Sequence, residues 1–140
     1  MDTRELIKAA LEARKFSYAP YSGFQVGAAL LCKDGTVYRG CNIENAAFSP
    51  TNCAERTAFF KAVSEGKKEF EAIAIVGGPA GKEPENFCAP CGVCRQVMME
   101  FCDPETFQII MGKADLTGEA HTLKEVLPWG FSGKDVTGEE

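Results

Sequence analysis

The chain has 140 residues, 45% of them hydrophobic, which is enough for one compact unit with its own core and too short for two. Fifteen Lys and Arg against 20 Asp and Glu leave a net charge of −5, which argues against a protein built to grip a polyanion such as tRNA or DNA. No segment has the length of a membrane-spanning helix, so the expected partner is a free small molecule and residues 1–140 are read as a single domain.

Along the chain, Asp2 or Thr3 caps a first helix in which Leu6, Ile7, Ala10, Leu11 and Arg14 recur at helical spacing. It ends before the loop Tyr18-Ala19-Pro20-Tyr21-Ser22-Gly23. Residues 24–32 read as a mostly buried strand, Lys33-Asp34-Gly35-Thr36 as a hairpin turn and 37–41 as the partner strand. Helical spacing returns with Ala54, Ala58, Phe59 and Ala62 and stops near Gly66. A central strand is predicted over 70–76, a Gly- and Pro-rich loop over 77–87, and a helix over 92–102 opened by Cys91. Strands over 106–111 and 119–122 follow, then a short helix over 123–127. Strands interleaved with helices imply an α/β fold.

The seven cysteines could suggest a disulfide framework, but the N-terminal residues include Asp2, Arg4, Glu5 and Lys8 and carry no apolar run. A cytoplasmic, reducing location is therefore expected, with the thiols free. Cys32 and Cys41 lie in apolar runs, where a cysteine is usually a small core residue.

Cys53-Ala54-Glu55 and, later, Pro90-Cys91-Gly92-Val93-Cys94 carry the chemistry. Three thiolate ligands leave one tetrahedral position of a zinc ion open to water, and a glutamate two residues after the first ligand can handle that water's protons. A structural zinc would ordinarily take four protein ligands. A lone C-x-x-C also fits a redox pair or half of a zinc knuckle, but neither has a use for Glu55. Cysteines 53 and 91 both precede helices, whose N-terminal N–H groups and positive dipole end favour thiolate over thiol. Three thiolates around Zn²⁺ leave one net negative charge, so a cation is needed beside the sulfurs. Arg56 is the candidate for that charge compensation; otherwise it is a solvent-facing helix residue. Cys88 creates a second C-x-x-C pair with Cys91, but only Cys91 and Cys94 follow Pro90 in the Pro-Cys-x-x-Cys order that zinc deaminases share.

Four further segments extend the pattern: Ala19-Pro20-Tyr21-Ser22, Phe24-Gln25-Val26-Gly27-Ala28-Ala29, Gly40-Cys41-Asn42-Ile43-Glu44-Asn45-Ala46 and Asn52-Cys53-Ala54-Glu55-Arg56-Thr57-Ala58. With Pro90-Cys91-Gly92-Val93-Cys94-Arg95-Gln96 and a C-terminal stretch from Leu127-Pro128 to Phe131-Ser132, the chain resembles the small, homotetrameric cytidine deaminases over almost its full length. The resemblance implies a three-layer αβα sandwich around a five-stranded mixed sheet and a Zn²⁺ held by Cys53, Cys91 and Cys94. It implies that Glu55 is the acid–base catalyst in removing the 4-amino group of cytidine and 2′-deoxycytidine, a pyrimidine-salvage reaction. Substrate contacts then fall to Phe24, Asn42, Glu44, Ala54 and Phe131, with Asn42 and Glu44 at the ribose 3′-hydroxyl and Phe131 reaching a neighbouring subunit's pocket. Taken singly, Asn42 and Glu44 also suit a turn, Phe24 suits a strand core, and Trp129 and Phe131 could simply cover the chain's own sheet. His121, the sole histidine, lies far from these motifs and reads as a surface or turn residue.

Overall fold

The computed structural model describes residues 1–138. Helix α1, Thr3–Arg14, starts at Asp2, whose side chain accepts from the Glu5 N–H at 2.8 Å. Strands β1, Phe24–Cys32, and β2, Val37–Cys41, form a hairpin, followed by α2, Ala54–Ser64, and β3, Phe70–Pro79. Helix α3, Gly92–Phe101, then β4, Gln108–Gly112, β5, Gly118–Thr122, and the short α4, Leu123–Val126, and α5, Gly133–Thr137, complete the order. The five strands make one sheet in the order β2-β1-β3-β4-β5. Only β3 and β4 run parallel, and they are joined through α3; the other neighbours are antiparallel, so the sheet is mixed.

Period-2 alternation in the central strands divides the core into two layers. Ala29, Leu31, Ala72, Ala74, Val76 and Ile110 face α1, which contributes Leu6, Ile7 and Ala10. On the opposite face Ala28, Leu30, Ile73, Ile75 and Ile109 meet Ala58 and Phe59 of α2, Met98 of α3 and Leu123 of α4. The three-layer arrangement follows from this division. Phe59 is fully buried and packs edge-on against Phe70 at 5.1 Å between centroids, with Phe107 at 6.0 Å. Burial of a side chain this size contributes roughly 1.5–3 kcal/mol.

Strand β3 runs three residues beyond its apolar stretch, because Gly77, Gly78 and Pro79 pair with Val26, Gln25 and Phe24 of β1. Helix α5 is a second departure from the sequence expectation, formed by a capping box between Ser132 and Asp135. The inward side of α2 is mostly alanine, Ala54, Ala58 and Ala62, which lets the helix lie close over β2. Gly40 is where the two meet: a Cβ there would sit 2.4 Å from the Ala54 carbonyl oxygen and 2.6 Å from the Ala58 nitrogen. This contact fixes the height of the first turn of α2 above the sheet, and hence the position of Cys53.

Candidate active site

Cys53 caps α2 and Cys91 caps α3, both in extended backbone just outside the first helical turn. The Cys91 sulfur accepts from the Cys94 N–H at 3.4 Å, so the helix N-terminus is satisfied by a sulfur rather than an oxygen. Cys53 Sγ lies 3.7 Å from Cys91 Sγ, Cys91 Sγ lies 3.4 Å from Cys94 Sγ, and all three fall within 4.8 Å of one another. Zinc–sulfur bonds of about 2.3 Å at tetrahedral angles would set sulfurs about 3.8 Å apart, so the cluster fits one zinc ion with little adjustment. Cys94 is buried whereas Cys91 is exposed, which leaves one side of the cluster facing open space.

The sulfurs do not share one electrostatic environment: the hydrogen bond to Cys53, with burial, pushes the Cys94 thiol well above its usual range, whereas negative charge is favoured on Cys53. Hydrogen bonding from Cys94 draws the Cys53 thiol down to about 5, with Arg56 and Cys91 adding to the effect. Arg56 Nη2 donates to Cys53 Sγ at 3.3 Å, so its guanidinium turns to the ligands and not to solvent. Glu55, on the first turn of α2, is 4% exposed, and burial lifts its carboxyl to about 7, helped by the charge on Cys53. A carboxyl that is half-ionised near neutral pH can both accept and return a proton.

A cavity of about 310 Å³ opens above the sulfurs. Phe24, Asn42, Glu44, Ala54 and Glu55 line it together with Cys53 and Cys91, so these sequence-predicted residues converge although up to 67 positions separate Phe24 from Cys91. Isolated bridges make the convergence possible: Ile43 pairs with both Tyr18 and Asn52, tying the 42–44 segment to the residue before Cys53. Among the described residues, no Lys, Arg or His lines this cavity. A larger hollow of about 460 Å³ lies at the far end of α3, between residues 99–104 and 132–134, but it holds no comparable cluster of ligating groups.

The polar side chains of Asn42 and Glu44 in the lining are already partly engaged. Asn42 Oδ1 accepts from the Val26 N–H at 2.9 Å and from the Ser17 hydroxyl, while its Nδ2 donates to the Phe24 carbonyl at 2.8 Å. One N–H of the amide is left to offer. Glu44 Oε1 accepts from the N–H groups of Tyr21 and Ser22, both at 3.0 Å, and Oε2 from the Ser22 hydroxyl. These bonds, that of the hydroxyl above all, hold the Glu44 carboxyl below its usual range and keep it an acceptor.

Phe131 is not brought to this cavity within one chain. It is 58% exposed, its carbonyl accepting from Gln96 Nε2 of α3 at 2.8 Å, and Trp129 is fully exposed, so neither covers the chain's own sheet. Cys88 stays outside the three-sulfur cluster and lines the cavity wall, its thiol pushed up to about 11 by burial. Ser22, Thr51, Asn52 and Ala89 line the cavity as well, and sequence reasoning gave none of them a role. For Ser22 the available signal was its place two residues before Phe24, in the turn that closes on Glu44. His121 lies at the edge of β5, 2.6 Å from Glu119 and 3.1 Å from Glu125, away from the cluster.

Residues 1–111 match a family model described as the cytidine and deoxycytidylate deaminase zinc-binding region. The chain is 49% identical over 138 residues to a cytidine deaminase of Sporosarcina psychrophila, covering 98% of this chain and 96% of that one. It is 50% identical over 136 residues to a cytidine deaminase of Halalkalibacterium halodurans, covering 97% and 98%. Among solved structures, the cytidine deaminase of Burkholderia pseudomallei superposes with a TM-score of 0.84 at 45% identity, over 94% of this chain and all of that one.

Proposed function

The chain belongs to the cytidine and deoxycytidylate deaminase zinc-binding family, and from that membership we propose that it hydrolyses cytidine and 2′-deoxycytidine to uridine and 2′-deoxyuridine, releasing ammonia. The observation that carries the reading is the buried Glu55, poised near neutrality, beside three sulfurs spaced for zinc at one end of a nucleoside-sized cavity. Among the described residues of one chain no cation lines the cavity, which favours a nucleoside over a nucleotide, whose 5′-phosphate would find no charge partner in this chain. Loss of cytidine absorbance with matched ammonia release tests the activity. Cytidine 5′-monophosphate turned over as fast as cytidine would overturn the nucleoside assignment.

Cys53, Cys91 and Cys94 are the residues that would hold the zinc, which when bound supplies a Lewis acid that makes water a competent nucleophile at neutral pH. Glu55 takes a proton from the attacking water as its oxygen bonds to C4, and delivers that proton to N3 of the ring. Glu55 then moves the second proton from the new C4 hydroxyl to the amino nitrogen, and the C4–N bond breaks to release ammonia. One carboxyl thus acts as base and as acid, and the atoms of one water are fully used. Arg56 withdraws electron density through Cys53 and offsets the excess negative charge of three thiolates.

At the far end, the spare Asn42 N–H and the acceptor-only Glu44 suit a sugar hydroxyl that accepts from one and donates to the other. We assign these to the ribose 3′-hydroxyl, with Phe24 against the pyrimidine and Ala54 closing the base end of the cavity. The exposed Trp129 and Phe131 favour burial against further copies of the chain, and we assign a homotetramer in which Phe131 completes a neighbour's pocket. No helix among the described residues is long and apolar enough to cross a membrane. The proposal extends to a cytoplasmic enzyme of pyrimidine salvage, with residues 1–140 as one catalytic domain and no nucleic-acid partner.

A further inference from the structure

Ser22 lines the cavity and hydrogen-bonds two other lining residues, Glu44 and Phe24. Its hydroxyl donates to Glu44 Oε2 and accepts from the Phe24 N–H at 3.0 Å. The directions are fixed, because a carboxylate only accepts and a backbone N–H only donates. Gly23, at φ +67°, turns the chain so that the side chain of residue 22 reaches the N–H two residues on. The Ser22 N–H also binds Glu44, on the other oxygen. Ser22 therefore holds both carboxylate oxygens while anchoring the first residue of β1, and it lines the cavity beside them. Without the hydroxyl, Glu44 Oε2 would lose the hydrogen bond it accepts from Ser22, and among the described residues the carboxylate would be held through Oε1 alone.

We propose that Ser22 is a positioning residue for sugar recognition: it aims Glu44 at the ribose 3′-hydroxyl and registers that contact to the ring of Phe24. The proposal rests on the assignment of Glu44 to the ribose. Its consequence is selectivity for nucleosides that bear a 3′-hydroxyl, set by a residue placed to act through Glu44.

The test pairs variants with substrates. Ser22→Ala should lower kcat/KM for cytidine about tenfold, the scale of one charge-assisted hydrogen bond, through KM with kcat within about twofold. On 3′-deoxycytidine the same variant should change kcat/KM by less than about twofold, since the contact it aims is already missing. Ser22→Thr, which keeps the hydroxyl, should restore cytidine turnover and guards against a fold-wide defect in the alanine variant. Equal losses on both substrates, or an unaffected KM for cytidine, would overturn the proposal. Glu44→Gln separates it from its premise. If that variant discriminates the two substrates and Ser22→Ala does not, Ser22 alone was misassigned; if Glu44→Gln does not discriminate them, the ribose assignment fails and the Ser22 proposal falls with it.

Discussion

Gly40→Ala should detach the metal site from the sheet without touching a single ligand. The added Cβ would lie 2.4 Å from the Ala54 carbonyl oxygen, 2.6 Å from the Ala58 nitrogen and 3.1 Å from the Thr57 Cβ, where ordinary contact begins at 3.4 Å. The two closest atoms belong to the backbone of α2, so no side-chain rotation relieves the overlap, and the helix must move about 1 Å off β2. Cys53 moves with it. A 3.7 Å separation from Cys91 Sγ that grows by even half this amount exceeds the tolerance of about 0.2 Å on metal–ligand distances. Overpacking of this kind costs about 1–3 kcal/mol, so Tm should fall by several degrees. The sharper readout is zinc: the variant should surrender its metal to a chelator at concentrations the parent resists, and lose deaminase activity in step. A variant with parental Tm, zinc retention and turnover would refute the claim that the Gly40 contact sets the position of Cys53.

Glu55→Gln should keep its zinc and still bind nucleoside while kcat falls at least ~10²-fold, measured by single-turnover ammonia release, because the amide cannot carry a proton. Cys91→Ser should lose both zinc and activity on metal analysis, whereas Cys88→Ser should keep both, since the Cys88 thiol lies outside the sulfur cluster; the reverse result would reassign the ligand pair. Co-expressed Glu55→Ala and Phe131→Ala chains should show more activity than the two variants assayed apart, because mixed assemblies rebuild sites with an intact Glu55 from one chain and an intact Phe131 from another. Activity no greater than that sum, with mixed assembly confirmed by native mass spectrometry, would refute a role for Phe131 across subunits.

The hairpin, both site helices and the three-sulfur cluster were legible because each rests on local rules: an Asp-Gly turn, apolar periodicity, and cysteines placed at helix starts. What escaped was non-local. Gly77, Gly78 and Pro79 read as loop by composition, yet they extend β3 because β1 presents backbone partners for them. Arg14 falls on the helical stripe of α1 by spacing alone, but its guanidinium donates to the carbonyls of Gln25 at 2.9 Å and of Gly78, Pro79 and Lys82 at 3.0 Å. Those acceptors are backbone atoms as many as 68 positions away, and no side-chain pattern marks them. Ser22 was hidden for the same reason. Its meaning lies in a carboxylate 22 residues later, whose approach depends on the bridges through Ile43.

Arg56 carries a cost that its place beside the sulfurs imposes on the fold. Its Nη2 serves Cys53 at 3.3 Å, but its Nε is buried without a hydrogen-bond partner among the described residues. A buried polar group left unpaired costs roughly 1–3 kcal/mol, more when it is charged. The unpartnered Nε counts against the arginine as a stabilising residue. The proposed charge compensation supplies a reason for it: a guanidinium donating to Cys53 Sγ would draw negative charge from the sulfurs where backbone dipoles alone do not reach. The unpartnered Nε and the hydrogen bond to Cys53 point in opposite directions at this residue, as expected if Arg56 serves the proposed zinc site and not the core.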